Sequence, residues 1–496
     1  MFTTKVDWQR ANHDEALIIG VWSDRKKLEG YVKEIDEAFN GHITQLFKEG
    51  DISTSYKALS KLHTFGIIGA KRLYFIGLGR KQDSSYERIR AALGKVVKEI
   101  DRDQRESVSI LLDTFTTENV AIEQMAHAFS EAILSASYTI QHYKERSNQR
   151  DVWLKAVTVY TKEEVNRALQ EGAVFGAGLN TARTLVNTPA NLLTPSDLIG
   201  TAVELAISSD MEYEVLERAD MEKLGMGALL AVSQGSVEPP KLFVAKYTGG
   251  EKDAPYLALV GKGVTFDAGG YSIKTATGMV DMKSDMGGAA AVIGALEVIG
   301  KLRPQTNLLF VIPACENLIN GAAMKPGDVI TSLSGLTIEV KNTDAEGRLL
   351  LADAVTYAKQ LGAHAVVDVA TLTGGVSVAL GDCTTGAVTN DETLYHQLKQ
   401  VAAHEGELLW LLPSHQPFKD MIRTSDVADL TNSSGRLGHA ITGGLFIGTF
   451  AGETPWVHLD IAGTAFSARP SDLGPKGATG VMVRTLARLA MQWQAE

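Results

Sequence analysis

The stretch Tyr256-Leu-Ala-Leu-Val-Gly-Lys-Gly-Val-Thr-Phe-Asp267 decides the fold. Its first five residues carry no charge and read as a buried strand. Lys262 and Asp267, set among glycines, then read as a loop at the carboxyl end of that strand. Downstream, Gly287–Leu302 reads as a helix rich in small residues. Residues 307–313 read as a second buried strand and 336–340 as a third. Residues 348–361 put Leu351, Ala354, Val355, Ala358 and Leu361 on one helical face, and 365–370 is the next strand. A closing helix carries the inner stripe Met482, Leu486, Leu489 and Trp493. Apolar strands separated by helices predict an α/β domain: a mostly parallel sheet flanked by helices on both faces.

Upstream, residues 16–21, 73–78, 108–112 and 153–160 read as strands, with helical spacing over 86–100 and 119–137. This predicts a second α/β domain. Gly77-Leu78-Gly79 after one of its strands reads as an ordinary strand-to-loop turn rather than a phosphate cradle. A helical stretch over 163–185 runs into Asn187-Thr-Pro-Ala-Asn-Leu-Leu-Thr-Pro195, whose two prolines and two asparagines stop it. The expected organisation is an N-terminal α/β domain over 1–162, a linking helix over 163–188 and a larger domain over 189–496.

Composition narrows the class. The 496 residues include 48 Lys+Arg against 59 Asp+Glu, a net charge of −11, with 45% hydrophobic and 22% charged residues. That is globular composition, and it excludes disordered, collagen-like and coiled-coil readings. The acidic balance makes nucleic acid or an anionic membrane an unexpected main partner. Two cysteines, Cys315 and Cys383, exclude a disulfide framework and read as buried thiols. The first apolar run, 16–22, follows Asp14 and Glu15 instead of basic residues, so no secretion signal is expected. No run of 18 apolar residues occurs, and a cytoplasmic location is the expectation.

Ligands of open α/β sheets collect outside the carboxyl ends of the strands. Three loops are expected there: Gly261 to Gly288, Asn342-Thr-Asp344-Ala-Glu346-Gly-Arg348, and Thr371-Leu-Thr-Gly-Gly375. Together they carry Asp267, Asp285, Asp344 and Glu346, with Lys262, Lys274 and Arg348. Taken singly, such acids are most often helix caps, as Asp344 or Glu346 would be ahead of 348–361. Four on one rim are harder to dismiss. They cannot all stay ionised unless positive charge sits among them, and two divalent cations would balance −4 with +4. Oxygen ligands suit Mg²⁺ or Mn²⁺ and also accept Zn²⁺. Other hydrolytic and ATPase signatures are missing: no H-E-x-x-H, no G-x-S-x-G and no P-loop occurs. His404-Glu-Gly-Glu407 lacks a second histidine and reads as a solvated helix end.

At this point a resemblance can be stated. Asn342-Thr-Asp-Ala-Glu-Gly-Arg-Leu349 resembles the signature of the leucyl (cytosol) aminopeptidase family of metallopeptidases. Val260 to Asp267, with Lys274 and Asp285 at their spacings, is similar to the same family. So are Asn187 to Asn191, Pro313-Ala-Cys-Glu-Asn317, Lys325-Pro-Gly-Asp328 and Gly474 to Gly480. The likeness covers about residue 187 to the end; the first third fits the family's variable N-terminal domain in length and pattern only.

The resemblance implies one metal on Asp267, Asp344 and Glu346, and a second on Lys262, Asp267, Asp285 and Glu346. Lys262 would bind as the neutral amine. It implies that Lys274 stabilises the oxyanion and that Arg348 holds a bicarbonate serving as general base. Met282, Thr371, Gly374 and Ala462 would line the pocket for the N-terminal side chain. Ala268, where relatives often have serine, and Thr275, where proline is frequent, are departures that bear on metal preference. The implied protein is a cytoplasmic homohexamer, a dimer of trimers, that removes Leu or other apolar N-terminal residues from peptides with Mn²⁺ or Zn²⁺, Mg²⁺ being also compatible. The alternatives are a narrow Cys-Gly-type dipeptidase and a regulatory DNA-binding protein on the same scaffold.

Overall fold

A computed structural model describes residues 1–24, 27–141, 143–144 and 154–493. They form two compact units, Met1–Ala177 with Pro470–Pro475, and Gly178–Arg469 with Lys476–Glu496. Both are α/β, as expected from the sequence. The sequence-predicted strand residue Trp153 lies outside the described residues.

The first unit holds a six-stranded sheet with strands β1 (Phe2–Lys5), β2 (Leu17–Trp22), β3 (Leu59–His63), β4 (Arg72–Gly79), β5 (Ser107–Leu111) and β6 (Ala156–Tyr160). Their order is β1-β6-β5-β2-β4-β3, parallel except for the β3/β4 pair. Side chains alternate between faces. Leu17, Ile19 and Val21 pack with Val32 and Ile35 of helix α1 (Gly30–Ala38) and Ile43 of helix α2 (His42–Glu49). Ile18 and Ile110 face the other way, onto Val96 of helix α3 (Tyr86–Arg102) and Phe129 of helix α4 (Ile122–Ala136). The sequence reading did not find β1, β3, α1 or α2. β1 and β3 are short and half-exposed, so neither shows an apolar run.

The second unit is built on a nine-stranded sheet. From one edge it runs Leu408–Leu411, Thr384–Thr389, Trp456–Asp460, Ala363–Ala370, Tyr256–Gly261, Asn307–Asn317, Lys241–Thr248 and Glu212–Leu216; Gly263–Asp267 pairs with Asn307–Asn317 off this path. The central strands are parallel and the Lys241–Thr248 and Glu212–Leu216 side is antiparallel. Gly287–Leu302 is an almost wholly buried helix. Ala258, Val260, Leu309, Val311 and Val366 pack with Leu350, Leu351, Ala354 and Val355 of the helix Gly347–Gln360.

Several expectations change. The strand expected at 336–340 is Thr337–Glu339, and it belongs to a separate three-stranded sheet with Val329–Thr331 and Leu430–Thr431. Tyr256–Gly261 is buried at every position after Tyr256, whereas this strand is half-exposed at two of its three positions. Cys383 is exposed, in the turn before Thr384–Thr389; only Cys315 is buried. The segment after His404 is not a solvated end. Glu405 is buried against Arg488 at 2.9 Å. Glu407 is also buried and accepts from the backbone N–H groups of Met482 and Thr485, capping the last helix. Among the described residues no helix is long and apolar enough to cross a membrane.

Candidate active site

Four parallel strands of the second unit end on one rim, where Lys262, Asn317, Thr371 and Asp460 follow or close them. Lys262 stands where the chain leaves Tyr256–Gly261 and starts Gly263–Asp267, its N–H donating to Val369 O at 3.0 Å. Its stem lies against Gly347, where an added Cβ would sit 2.5 Å from Lys262 Cε. Only glycine allows that approach.

At its tip Lys262, 2% exposed, meets Asp285 Oδ2 at 2.7 Å and Glu346 Oε1 at 2.8 Å, and donates to the Thr371 carbonyl at 3.0 Å. Lys274 pairs with Asp267 Oδ2 at 2.5 Å and with Asp344. The structure thus brings Lys262, Asp267, Lys274, Asp285, Asp344 and Glu346 into one cluster. Carboxylate oxygens of Asp267, Asp344 and Glu346 all lie within 4.8 Å of one another.

Burial and neighbouring carboxylates work together here. Burial, then the charge of Glu346, pushes Asp267 up to about 6. Burial likewise raises Asp285 and Asp344. Glu346 goes the other way: burial would raise it, but Lys262 and then Lys274 outweigh that and hold it below the ordinary range. Both lysines are raised, because the surrounding acids overcome the burial that would lower them. Fully ionised, the four carboxylates would exceed the two ammonium groups by two negative charges, in a pocket of hard oxygen donors, and the raised acids show the cost of that excess. The donor set fits divalent cations.

Side chains from other elements stitch the loops together. Asn317 donates to Asp267 Oδ1 at 2.8 Å and to Thr343 O at 3.0 Å. Thr343 donates to Gly269 O at 2.6 Å and accepts from the Ser272 N–H. Asn432 donates to the carbonyls of Asn342 and Ala345, and its own carbonyl accepts from Arg348 Nη1 at 2.6 Å. Asp460 accepts from the N–H groups of Leu372, Thr373 and Ala462 and from the Thr373 hydroxyl. No role is expected from the sequence for Asn317, Asn432 or Asp460: Asn317 stands inside the Pro313–Asn317 motif and Asp460 opens the run Asp460-Ile-Ala-Gly463 around Ala462, while Asn432 carries no local signal.

Arg348 is 1% exposed and stands apart from the lysines. Its Nη2 donates to His439 Nε2 at 3.0 Å, while its Nε has no hydrogen-bond partner among the described residues. Burial lowers Arg348 to about 10; burial, then the charge of Arg348, lowers His439 to about 4, so the imidazole is neutral. Of the four residues expected to line a substrate pocket, Thr371 belongs to the cluster, its hydroxyl donating to Asp285 at 2.8 Å. Met282 is half-buried in the turn before Asp285, and Ala462 half-buried beside Asp460. Gly374 is exposed, with open space where a Cβ would point.

An α/β sheet with a carboxylate and lysine cluster at its carboxyl rim defines a candidate metallohydrolase centre. Comparison with known proteins specifies it. The profile of the cytosol aminopeptidase family catalytic domain matches residues 180–487, and that of the family's N-terminal domain matches 18–147. A probable cytosol aminopeptidase of Bacillus subtilis (strain 168) is 53% identical over 491 residues, 98% of each chain. Among solved structures, a tomato leucine aminopeptidase mutant superposes with TM-score 0.88 at 31% identity, covering 99% of this chain and 96% of that one. The bottromycin maturation enzyme BotP in complex with Mn superposes with TM-score 0.85 at 31% identity, covering 97% and 99%. The chain belongs to the cytosol aminopeptidase family and is a metal-dependent aminopeptidase.

Proposed function

We propose that this aminopeptidase uses two divalent metals per subunit and prefers leucine or other apolar N-terminal residues. The observation that carries the reading is the carboxylate cluster, whose negative charge exceeds that of its two lysines. Asp267, Asp344 and Glu346 would hold one metal; Lys262, Asp267, Asp285 and Glu346 would hold the other, with Mn²⁺ or Zn²⁺ suiting this mixed set. Bound there, the metals supply Lewis acidity and an activated water. Lys262 must give up its proton to bind, so loading is favoured as pH rises.

The remaining roles belong to side chains. Lys274 is the cation placed to receive charge developing on the scissile carbonyl oxygen. Arg348, with an unpartnered Nε, is the residue against which the family resemblance seats a bicarbonate. Met282, Thr371, Gly374 and Ala462 would border the pocket for the N-terminal side chain. A free α-amine would anchor substrate at the Lys262 side and set its first carbonyl toward Lys274. That restricts cleavage to the N-terminal bond. The same resemblance supports a cytoplasmic homohexamer, which light scattering would read as a particle near six times the 53.4 kDa chain; an active monomer would contradict it.

One experiment tests the reading. Chelated protein is reloaded separately with Zn²⁺, Mn²⁺ and Mg²⁺ and assayed on a panel of aminoacyl amides, Cys-Gly and N-acetyl-leucine amide. Activity should vanish on chelation, return with metal, be highest on leucine and be absent on the acetylated compound. Full activity in metal-free protein, or comparable kcat/KM on the blocked substrate, would sink it. A rate confined to Cys-Gly would favour a dipeptidase.

A further inference from the structure

The first unit has its own rim. Between β2 and β4 the chain passes through α1 and α2, and between β4 and β5 through α3, so the winding reverses at β2, which lies between β4 and β5. Crevices at such reversals, beyond the carboxyl ends of strands, are where open α/β sheets take small molecules. A cavity of about 520 Å³ lies beyond the end of β2, on the side of the sheet covered by α1 and α2. Its size is within the range of roughly 300–1,000 Å³ usual for ligand sites.

The lining is two-sided. Val21, Leu28 and Phe47 give it an apolar wall, and Lys27, Lys33 and Lys48 bring three positive charges. Lys27 and Lys48 have no charged partner among the described residues, and Lys33 has only exposed Glu37 at 3.8 Å. The acid in the lining, Asp36, is already engaged: Thr44 donates to its two oxygens, from N–H at 2.8 Å and from the hydroxyl at 2.6 Å. In a chain of net charge −11 this is a local reversal of sign.

Gly77-Leu78-Gly79, expected from the sequence to be a strand-to-loop turn, are the last residues of strand β4, and they position one wall of the cavity. A Cβ on Gly77 would lie 2.1 Å from Ser55 O, so glycine lets the 53–55 backbone cross the end of β4. Gly79 N–H donates to Thr54 O at 3.0 Å, and Thr54 joins the cavity wall. The end of β4 therefore seats the Thr54 wall and leaves anion binding to the lysines.

We propose that this cavity binds a ring-bearing phosphate ester of nucleotide size, its phosphates held by Lys27, Lys33 and Lys48 and its ring against Phe47 and Leu28. Lysines hold phosphate as point charges, so the binding weakens with salt. The site is separate from peptide hydrolysis.

The full-length protein is titrated calorimetrically with ADP, AMP and inorganic phosphate, alongside Lys33→Glu/Lys48→Glu. The expected order is ADP, then AMP, then phosphate. The double variant should lose at least tenfold in ADP affinity, keep its circular dichroism and keep wild-type kcat/KM on leucine amide. Lys27→Glu, tested alone, should give a smaller loss in the same direction. Absence of saturable ADP binding would overturn the proposal. So would ADP binding that survives in the double variant, which would place it elsewhere, such as at the metals. Equal affinity for phosphate and ADP would remove the ring from the recognition.

Discussion

The second unit buries carboxylates in two ways. Asp353, on the helix Gly347–Gln360, accepts N–H bonds from Ala228 and Leu229 at 3.0 and 2.9 Å and from Leu333 at 2.8 Å. Glu407 and Asp460 are intermediate: each has a charged neighbour, Arg484 and His458, and also accepts backbone N–H bonds. Asp267, Asp285, Asp344 and Glu346 instead draw much of their compensation from Lys262 and Lys274. Burial is the main cause raising both kinds, Asp353 to about 7 and Asp267 to about 6. What differs is the compensation. A backbone dipole is fixed by the fold, whereas an ammonium group can be displaced or deprotonated. Charges that compensate replaceably mark the place where other cations enter.

Substitutions can break or sharpen this contrast. The largest effect is expected for Lys274→Ala, which removes a cation but no carboxylate. Its kcat should fall about 10²–10³-fold with KM little changed and both metals still found by elemental analysis. An effect on KM alone would remove Lys274 from the reaction.

Asp353→Asn, compared with the parent at pH 5 where the raised carboxyl is itself neutral, should cost about 1–3 kcal/mol in denaturant unfolding, because an amide cannot accept three N–H bonds without turning a donor toward them. Activity per folded molecule should stay at the wild-type level. A variant as stable as the parent would show that these bonds contribute nothing.

Asp267→Asn should do the reverse to the metal-free chain. The folded pKa of Asp267 is raised to about 6 from an ordinary 3.8. The stability linked to its protonated form is therefore full below pH 3.8 and lost as pH rises through about 6. Well above pH 6 the chelated variant should be more stable than the parent by about 3 kcal/mol, a gain absent near pH 4, while catalysis is lost. No gain at pH 8 would mean Lys274 fully compensates Asp267.

The smallest effect belongs to Asp460→Asn. Asp460 fixes Leu372 and Thr373, and their neighbour Thr371 contacts both Lys262 and Asp285. About a tenfold fall in kcat is expected, with metal content retained, since a small misplacement of site groups is costly. Unchanged kcat would make Asp460 a cap of the Asp353 kind.

Legibility in the sequence followed the same division. Lys262, Asp267, Asp344 and Glu346 were readable because each sits in a short glycine-marked run beside a strand or helix. The buried strand Tyr256–Gly261 and the helix Gly287–Leu302 were readable from apolar runs. Asn432 and Asp460 were not, because they act on loops about 90 residues away in the chain and look locally like ordinary polar positions. Thr337–Glu339 was misplaced because three residues cannot say which sheet they join. Glu405 and Glu407 looked solvated because the arginine and helix end that bury them come from the last elements of the chain.

Asn317, Thr343 and Asn432 stitch the loops of the cluster to one another through hydrogen bonds that join protein to protein. Part of the order of those loops is therefore supplied by the fold itself. Small zinc domains, whose folding is metal binding, lack such support.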